Sequence, residues 1–366
     1  MRAAQETTHQ LIADLADGRG GFEAVWTADL MYDGERRLEG LTIDAPKLTW
    51  DLGRFVVASG SVQIVWSDVF GTSVIPTEIG ALFAPFGAEL QIDLLIRAGH
   101  YEDRIPISRV VIESVPDAED RRMLFQGVPF TAGETFAVNV SDRLMKIERD
   151  EFQMPTAAGS GSAWQEIQEI TRFPVIRSAV DATVPAGMAY EGKKSDVVSK
   201  LFDLMGSWPH LTADGVLTGM PKAWGPPVDE IRGVVSAPIA MTSEDTYNVV
   251  IVEGKDAAGE PILAAAEVRD GFLRAINPDG AVSPFGSKPF RYSSEFLRTY
   301  PQCAAYATEL LQRVSRLRGV RRTITEPFNP LREVGDVVTF DGGPVRIVNL
   351  THDGAQTRSV VEVPDE

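Results

Sequence analysis

The chain has 366 residues, more than a single domain usually holds, so about two to four domains are expected. Hydrophobic residues make up 44% and charged residues 24%, which is typical of folded proteins and excludes disorder of the whole chain. The formal net charge of −17 has the wrong sign for non-specific nucleic-acid binding. The acidic excess has two readings that the sequence leaves open: solubility, or a wall along which DNA slides without adhering.

No apolar run is long enough to span a bilayer, and residues 1–21 lack the apolar segment of a signal peptide. We therefore expect the chain to fold in a reducing cytosol. Its single cysteine, Cys303, cannot form an intrachain disulfide, and one cysteine excludes zinc sites of the usual types. Cys303 falls on the apolar stripe of a predicted helix, which indicates a buried, unreactive thiol.

Strands dominate the first 140 residues. The Asp33-Gly34 pair suits a tight hairpin between the alternating segments 23–32 and 35–43, because Asp and Gly both tolerate a left-handed backbone. Further strands are predicted at residues 61–67, 89–96, 108–115, 122–127 and 135–140. This part of the chain is therefore expected to be a compact, mostly antiparallel β domain.

Helices are few. They are expected at residues 7–17, in a short stretch ending near residue 150, at 195–205 and at 301–318. The expected N-caps are Thr7 or Thr8, then Ser141 or Asp142, then Ser195. The last helix has Pro301 in its first turn and Gly319 as its stop. Strands at residues 246–254, 261–268 and 334–340 surround it in the last third of the chain.

Composition also suggests where domains meet. The small residues of 156–162 (TAAGSGS) predict a linker, and a second soft boundary lies near residues 224–228. The expected division is an N-terminal segment (1–21), a first tube-like β domain (22–155), a linker with a small helix-containing accessory domain (156–235) and a second β domain (236–366). The fold class is thus mainly β with minor α.

Residues that could carry chemistry are scattered. His9, His100, His210 and His352 have no metal-ligand neighbours at a recognisable spacing, so surface or turn positions are expected for them. The serines of residues 159–162 form neither a nucleophile elbow nor a phosphate loop.

The acidic residues Asp117, Glu119 and Asp120 lack a calcium-loop pattern and have Arg121 and Arg122 beside them, which favours a solvated turn. With 52 acids, a carboxylate pair for glycoside hydrolysis is available, but the sequence singles out none. We predict no catalytic, cofactor-binding or metal-binding residues.

One basic concentration and two tryptophans are candidates for an interface. The basic residues are Arg313, Arg316, Arg318, Arg321 and Arg322. Their placement complements the C-terminus of the last helix, and they also suit a contact with another acidic subunit or with a phosphate. Trp208 and Trp224 lie in Pro/Gly-rich loops, where aromatic residues anchor either loop packing or an interface.

The order of these segments resembles tail hub (baseplate hub) proteins of tailed phages, of the siphophage minor tail protein type. Residues 247–254 (YNVVIVEG) look like the strand that follows the hub's small domain, and residues 329–338 (NPLREVGDVV) are similar to its P-x-x-x-x-G-D-x-V region. The helix and strands after residue 195 resemble the hub's small insertion, and the hairpin around Asp33-Gly34 its opening.

The resemblance implies a homotrimer with two tube-like β-barrel domains per subunit. Such a trimer would join a sixfold tail tube to a threefold tip and line the channel through which DNA passes. The implied partners are a distal tail or tail tube protein above and a spike, fibre or tape-measure protein at the tip. The implied location is the virion tail tip, after assembly in the host cytoplasm.

Two other functions remain open from the sequence. A carbohydrate- or receptor-binding tail-tip module is favoured if Trp208 and Trp224 line an exposed groove. A cell-wall hydrolase is the enzymatic alternative, although no catalytic motif supports it.

Overall fold

The computed structural model describes residues 1–44, 46–66, 73–125, 128–241, 243–244, 246–256, 258–315 and 320–363. Within these ranges the chain is mainly β with five short helices, as predicted. None of those helices combines the length and apolarity needed to cross a bilayer.

The first block contains seven strands between two helices. They are α1 (Glu6–Ala16), β1 (Glu23–Tyr32), β2 (Glu35–Ile43), β3 (Lys47–Asp51), β4 (Ala58–Trp66), β5 (Glu89–Ala98), β6 (Tyr101–Phe125), β7 (Val128–Asp142) and α2 (Met145–Glu148). The bounds of β1 and β2 are those predicted. Their turn has φ of 50° at Asp33 and 79° at Gly34, a left-handed geometry that the Asp-Gly pair tolerates.

Six of these strands pair in a closed circuit. β1 lies between β2 and β5, β5 pairs with β6, β6 with β7, β7 with β4, and β4 returns to β2. The return is short, with Thr42 opposite Val65 and Ile43 opposite Ile64. Alternating residues such as Leu30 and Leu90 are fully buried inside. The six strands of the first block therefore form a closed antiparallel sheet with a packed interior.

The middle block holds two helices and short strands. Its elements are β8 (Glu151–Ala157), α3 (Ala163–Thr171), β9 (Val175–Ile176), β10 (Ala189–Lys193), α4 (Lys194–Leu204), β11 (Ser207–Leu211) and β12 (Leu217–Pro221). α3 was not predicted. It packs on α4 through Trp164 and Phe202, whose rings meet edge to face at 5.5 Å. The predicted linker runs from the end of β8 to Ser162, the N-cap of α3.

The last block contains the remaining strands and the longest helix. Its elements are β13 (Asp229–Glu230), β14 (Ile239–Met241), β15 (Val249–Lys255), β16 (Pro261–Glu267), β17 (Pro289–Ser293), α5 (Tyr300–Val314), β18 (Val320–Pro327), β19 (Val337–Phe340), β20 (Gly343–His352) and β21 (Gln356–Glu362). Thr299 and Gln302 form a capping box at the start of α5. Arg318 and Gly319, at its predicted end, lie outside the described residues.

Two sheets result from this block. β14, β18, β21 and β20 are neighbours, and β20 also pairs with β3, so this sheet continues into the first block. Gly60 on β4 permits the β3–β4 pairing that joins this sheet to the first block, because a Cβ there would lie 1.9 Å from the carbonyl oxygen of Lys47 on β3. In contrast, β15, β16 and β17 form a separate sheet that packs on α5. Among the described pairings only the first block closes, so a second barrel stays a prediction.

Several local predictions were wrong. α1 begins after Gln5, and Thr8 instead donates its hydroxyl to Asp103 at 2.6 Å. α4 has Lys193 rather than Ser195 at its N-cap, and Leu144 rather than Ser141 or Asp142 precedes α2.

The acidic residues Asp117, Glu119 and Asp120 lie in β6, not in a turn, because β6 runs far beyond its pairing with β5 and continues against β7. Gln126 and Gly127, at the end of the strand predicted over 122–127, lie outside the described residues.

Candidate functional site

The motif at residues 329–338 forms most of the loop between β18 and β19 and the first two residues of β19. Asn329 accepts the amide hydrogen of Leu331 on its side chain at 3.1 Å, which turns the chain sharply. Leu331 and Val334 then point into the main core, where each is 2% exposed. The motif that carried the sequence resemblance is therefore a buried junction, named here the hub junction (residues 329–338 with Met1, Arg2 and Asp229).

The N-terminal residues are part of this junction. Arg2 donates to the carbonyl oxygens of Pro330 at 2.8 Å and Arg332 at 2.6 Å, and its guanidinium lies 5.4 Å from the ring centroid of Trp50 on β3. Burial lowers the pKa of Arg2, although Glu333 opposes this effect. Arg2 thus ties the first block to the last sheet.

Arg332 is the most buried charge of the junction, with 1% of its side chain exposed. It binds Glu326 through two hydrogen bonds, at 2.9 and 3.2 Å, and Asp229 through a third at 2.7 Å. Burial raises the pKa of Glu326, and the charge of Arg332 partly offsets that rise. Glu326 belongs to β18 and Asp229 to β13, so a single guanidinium links three segments.

The backbone conformation of residue 335 explains why the motif has a glycine there. Its φ of +87° lies in the left-handed region, and its amide donates to the carbonyl oxygen of Ile347 at 2.7 Å. A Cβ at this position would lie 2.1 Å from the sulfur of Met220 on β12. The accessory block therefore packs directly on the junction, and a side chain at residue 335 would require Met220 to move.

The two candidate tryptophans come together around one arginine. The guanidinium of Arg346 on β20 lies 5.5 Å from the ring centroid of Trp208 and 4.4 Å from that of Trp224. Arg346 also donates to the carbonyl oxygen of Lys222 at 2.9 Å. Both rings are half-buried against this chain's own sheet, so the exposed aromatic groove that would favour a glycan-binding module is not formed by this pair.

The candidate arginines occupy separate elements. Arg313 is half-buried near the end of α5. Arg322 on β18 lies 3.6 Å from Asp341 and 5.7 Å from the ring centroid of Phe340. Arg316 and Arg318 lie outside the described residues, and of Arg321 only the backbone is described. An intermolecular role for these residues stays a prediction.

The prediction of surface or turn positions is wrong for two histidines, His352 and His210. His352 is 1% exposed in β20, between the rings of Trp50 and Phe328, each with its centroid 5.5 Å away. Burial lowers the pKa of His352 to about 3, and Arg2 adds to the effect. His210 is half-buried in β11, where burial lowers its pKa to about 4. Both imidazoles are therefore neutral at physiological pH.

A cavity of ≈ 260 Å³ lies between α1 and the hub junction. Its lining includes Glu6, His9, Arg232, Glu326 and Arg332. The acids are opposed by arginines, and among the described residues no group of three or more His, Cys, Asp or Glu is arranged to hold a metal ion. Cys303 is buried, as predicted, and burial raises the pKa of its thiol.

Several solved structures share this arrangement of elements over nearly the whole chain. A tail protein from Neisseria meningitidis MC58 superposes with a TM-score of 0.57 at 13% identity, over 92% of this chain and 96% of that one. The 43 kDa tail protein of prophage MuSo2 from Shewanella oneidensis gives 0.51 at 13% identity, over 93% and 99%. Prophage tail protein gp18 from Listeria monocytogenes EGD-e gives 0.50 at 11% identity, over 93% and 95%.

The chain shares the fold of phage tail proteins. The resemblance predicted from the order of its segments is therefore confirmed at the level of the fold. No protein-family model matches the sequence, and no curated protein matches it either.

Proposed function

We propose that this chain is a structural tail hub of a phage-like tail, which joins a sixfold tail tube to a threefold tip. The observation that carries the proposal is the fold shared with phage tail proteins over nearly the full length of both chains. Because that likeness spans all three blocks, it involves the arrangement of the domains and not a single common β motif.

The continuous sheet supports this role. A closed circuit of six strands passes through β3 into the last sheet, and the hub junction ties the two together with buried charges. A wall of a channel needs such rigidity, because it must keep its shape while DNA passes. The net charge of −17 repels phosphate, so the passing DNA would not adhere.

The proposal is a non-enzymatic role in the virion tail. Three copies would form the hub, with a distal tail or tail tube protein on one side and a spike, fibre or tape-measure protein on the other. Assembly would take place in the host cytoplasm. Closed symmetry is the expected arrangement, because it leaves no subunit face unpaired.

Light scattering on the purified chain at micromolar concentration tests the proposal. We expect a particle of three times the 39.9 kDa of one chain. A stable monomer that forms no ring when tail tube or distal tail protein is added would contradict the hub assignment.

A further inference from the structure

Three cations meet a single carboxylate where the first block contacts the accessory block. Glu89, the first residue of β5, is 3% exposed. It accepts from Arg109 Nε at 2.6 Å, from Arg143 Nε at 3.1 Å and from Lys146 Nζ at 2.5 Å. Arg109 lies on β6, Arg143 follows β7 and Lys146 belongs to α2. These four residues are named here the cation cluster.

The charges of the cation cluster do not balance. Burial alone would raise the pKa of Glu89, but the bonds and charges of its three partners lower it, so Glu89 is ionised at neutral pH. Three positive charges against one negative leave an excess of +2, whereas the whole chain carries −17. Counting the exposed Asp214 of the adjoining turn still leaves a positive excess.

The like charges of the cluster act on one another. Burial lowers the pKa of Arg143; the charge of Glu89 opposes this effect, and the like charge of Arg109 adds to it. Repulsion between cations held this close is relieved by a second anion. The electrostatics therefore favour an anionic group beside the cluster.

Donors for that group are already in place. Arg143 donates Nη1 to the carbonyl oxygen of Gly215 at 2.7 Å. In the described part of the chain its Nη2 and both terminal nitrogens of Arg109 have no acceptor, and none of these atoms is enclosed. Lys146 bonds Glu89 alone among the described residues, and its side chain is 37% exposed. Guanidinium and ammonium groups are the donors with which proteins bind carboxylate and phosphate.

Packing holds the two arginines in position. The turn between β11 and β12 lies on their stems, since a Cβ at Gly215 would be 2.7 Å from Cδ of Arg143 and 3.1 Å from Cβ of Arg109. The guanidinium of Arg143 also lies 4.9 Å from the ring centroid of Phe173. Because these side chains are ordered before a ligand arrives, little conformational entropy is lost on binding.

We propose that the cation cluster binds one oxyanion, a carboxylate or a phosphate group, on the solvent side of Arg109, Arg143 and Lys146. An anion with several oxygen acceptors can use the free N–H groups of all three side chains, which a single-atom anion cannot. The group comes either from an acidic side chain of another protein or from free phosphate. The inference does not depend on the proposed hub function.

Thermal unfolding in matched salts tests the site. Wild type is titrated with sodium phosphate, sodium acetate and sodium chloride at equal ionic strength and pH. An oxyanion that binds only the folded chain should raise the midpoint by about 2 °C over chloride at a tenfold excess over its dissociation constant. A rise in phosphate alone assigns the site to phosphate, and an equal rise in acetate assigns it to carboxylates. Equal midpoints in the three salts would overturn the proposal.

Variants separate binding from a general effect of the salt on stability. Arg109→Gln removes one cation, and a tenfold weaker affinity would leave about a third of the rise. Lys146→Gln, at the exposed end of the cluster, gives the same readout if Arg109→Gln does not fold. Each variant is compared with its own midpoint in chloride.

Arg97→Gln is the matched control. It removes an arginine on β5 that is 45% exposed and pairs with Glu102 outside the cluster, so the full rise should remain. The same rise in this control and in both cluster variants would mean an adventitious ion only and would overturn the site.

Discussion

The hub junction and the sheet on α5 are held together in opposite ways. The junction joins segments far apart in the chain by buried ions, as when Arg2 binds the carbonyl oxygens of Pro330 and Arg332. The sheet of β15, β16 and β17 has its own apolar core around Val250, Cys303 and Leu310. Local apolar packing makes an independent module, whereas long-range polar contacts fix the positions of modules relative to one another.

The contacts that join the α5 sheet to the rest of the chain also differ from those of the hub junction. The α5 module, which consists of β15, β16, β17 and α5, meets the accessory block through a small polar cluster. In this cluster Tyr292 donates to Asp203 at 3.1 Å, and Lys222 binds the same carboxylate. We expect loss of the Tyr292 hydrogen bond to leave the module folded, because Lys222 still pairs with Asp203. Losing a junction contact leaves a buried charge without a partner, which is far more costly.

Removing the central arginine of the junction should have the largest effect. Arg332→Met leaves Glu326 buried and unpaired, so we expect a loss of about 4 kcal/mol in the free energy of unfolding. Arg37→Met removes an exposed arginine paired with Glu35 and should cost less than about 0.5 kcal/mol. Denaturant titration measures both.

A double variant sharpens this result. Arg332→Met with Glu326→Leu should recover part of the lost stability, because no uncompensated carboxylate remains. If Arg332→Met is as mild as Arg37→Met, the junction does not hold the blocks together.

The glycine of the motif comes next. Gly335→Ala should cost about 3 kcal/mol, since it combines a left-handed backbone with overlap on Met220. Gly342→Ala has a similar φ of +79° but open space around its Cβ, so about 1 kcal/mol is expected. Thermal unfolding of the two variants separates backbone strain from packing. Equal losses would show that the contact with Met220 is unimportant.

Acid should remove the contribution that the buried His352 makes to stability. The folded pKa of His352 is about 3, against an ordinary value of 6.5, so its contribution is fully present above pH 6.5 and is lost as the pH falls toward 3. His352 alone should contribute a drop of about 1.4 kcal/mol for each pH unit in that window. His352→Gln should flatten this slope, and His100→Gln, at an exposed turn, should not. Denaturant titrations between pH 4 and 7 would contradict the account if the slopes of both variants were the same.

The smallest effect is expected at the joint of the α5 module. Tyr292→Phe removes the hydrogen bond to Asp203 and should cost about 1 kcal/mol. Tyr300→Phe, at an exposed ring, serves as the control. Hydrogen exchange should quicken around Asp203 while the core of the module stays protected. Faster exchange throughout β15 would mean that the module is not independent.

Local patterns predicted the local elements. Alternation on either side of Asp33-Gly34 gave the bounds of β1 and β2, since a two-residue turn fixes the register of a hairpin. The apolar stripe with Pro301 located α5 to within a few residues. α3 was overlooked because small residues precede it, yet Ser162 followed by Trp164 and Ile167 at helical spacing was a usable signal.

The hub junction could not be predicted from the sequence. Arg2 and Arg332 are 330 residues apart, and nothing near either one indicates the other. Likewise, nothing in the sequence around Met220 indicates that its side chain fills the space above Gly335. Closure of the six-strand circuit depends on the short β2–β4 pairing. The period of the apolar residues cannot predict this pairing, because it shows which face of a strand is buried and not which strand lies beside it. The order of the segments resembled that of a known protein family, and this resemblance predicted the overall fold that the local patterns could not.

Electron microscopy of the purified chain tests the central claim most directly. We expect annular particles with a central hole and threefold class averages. A field of compact single chains, unchanged when tail tube or distal tail protein is added, would contradict it.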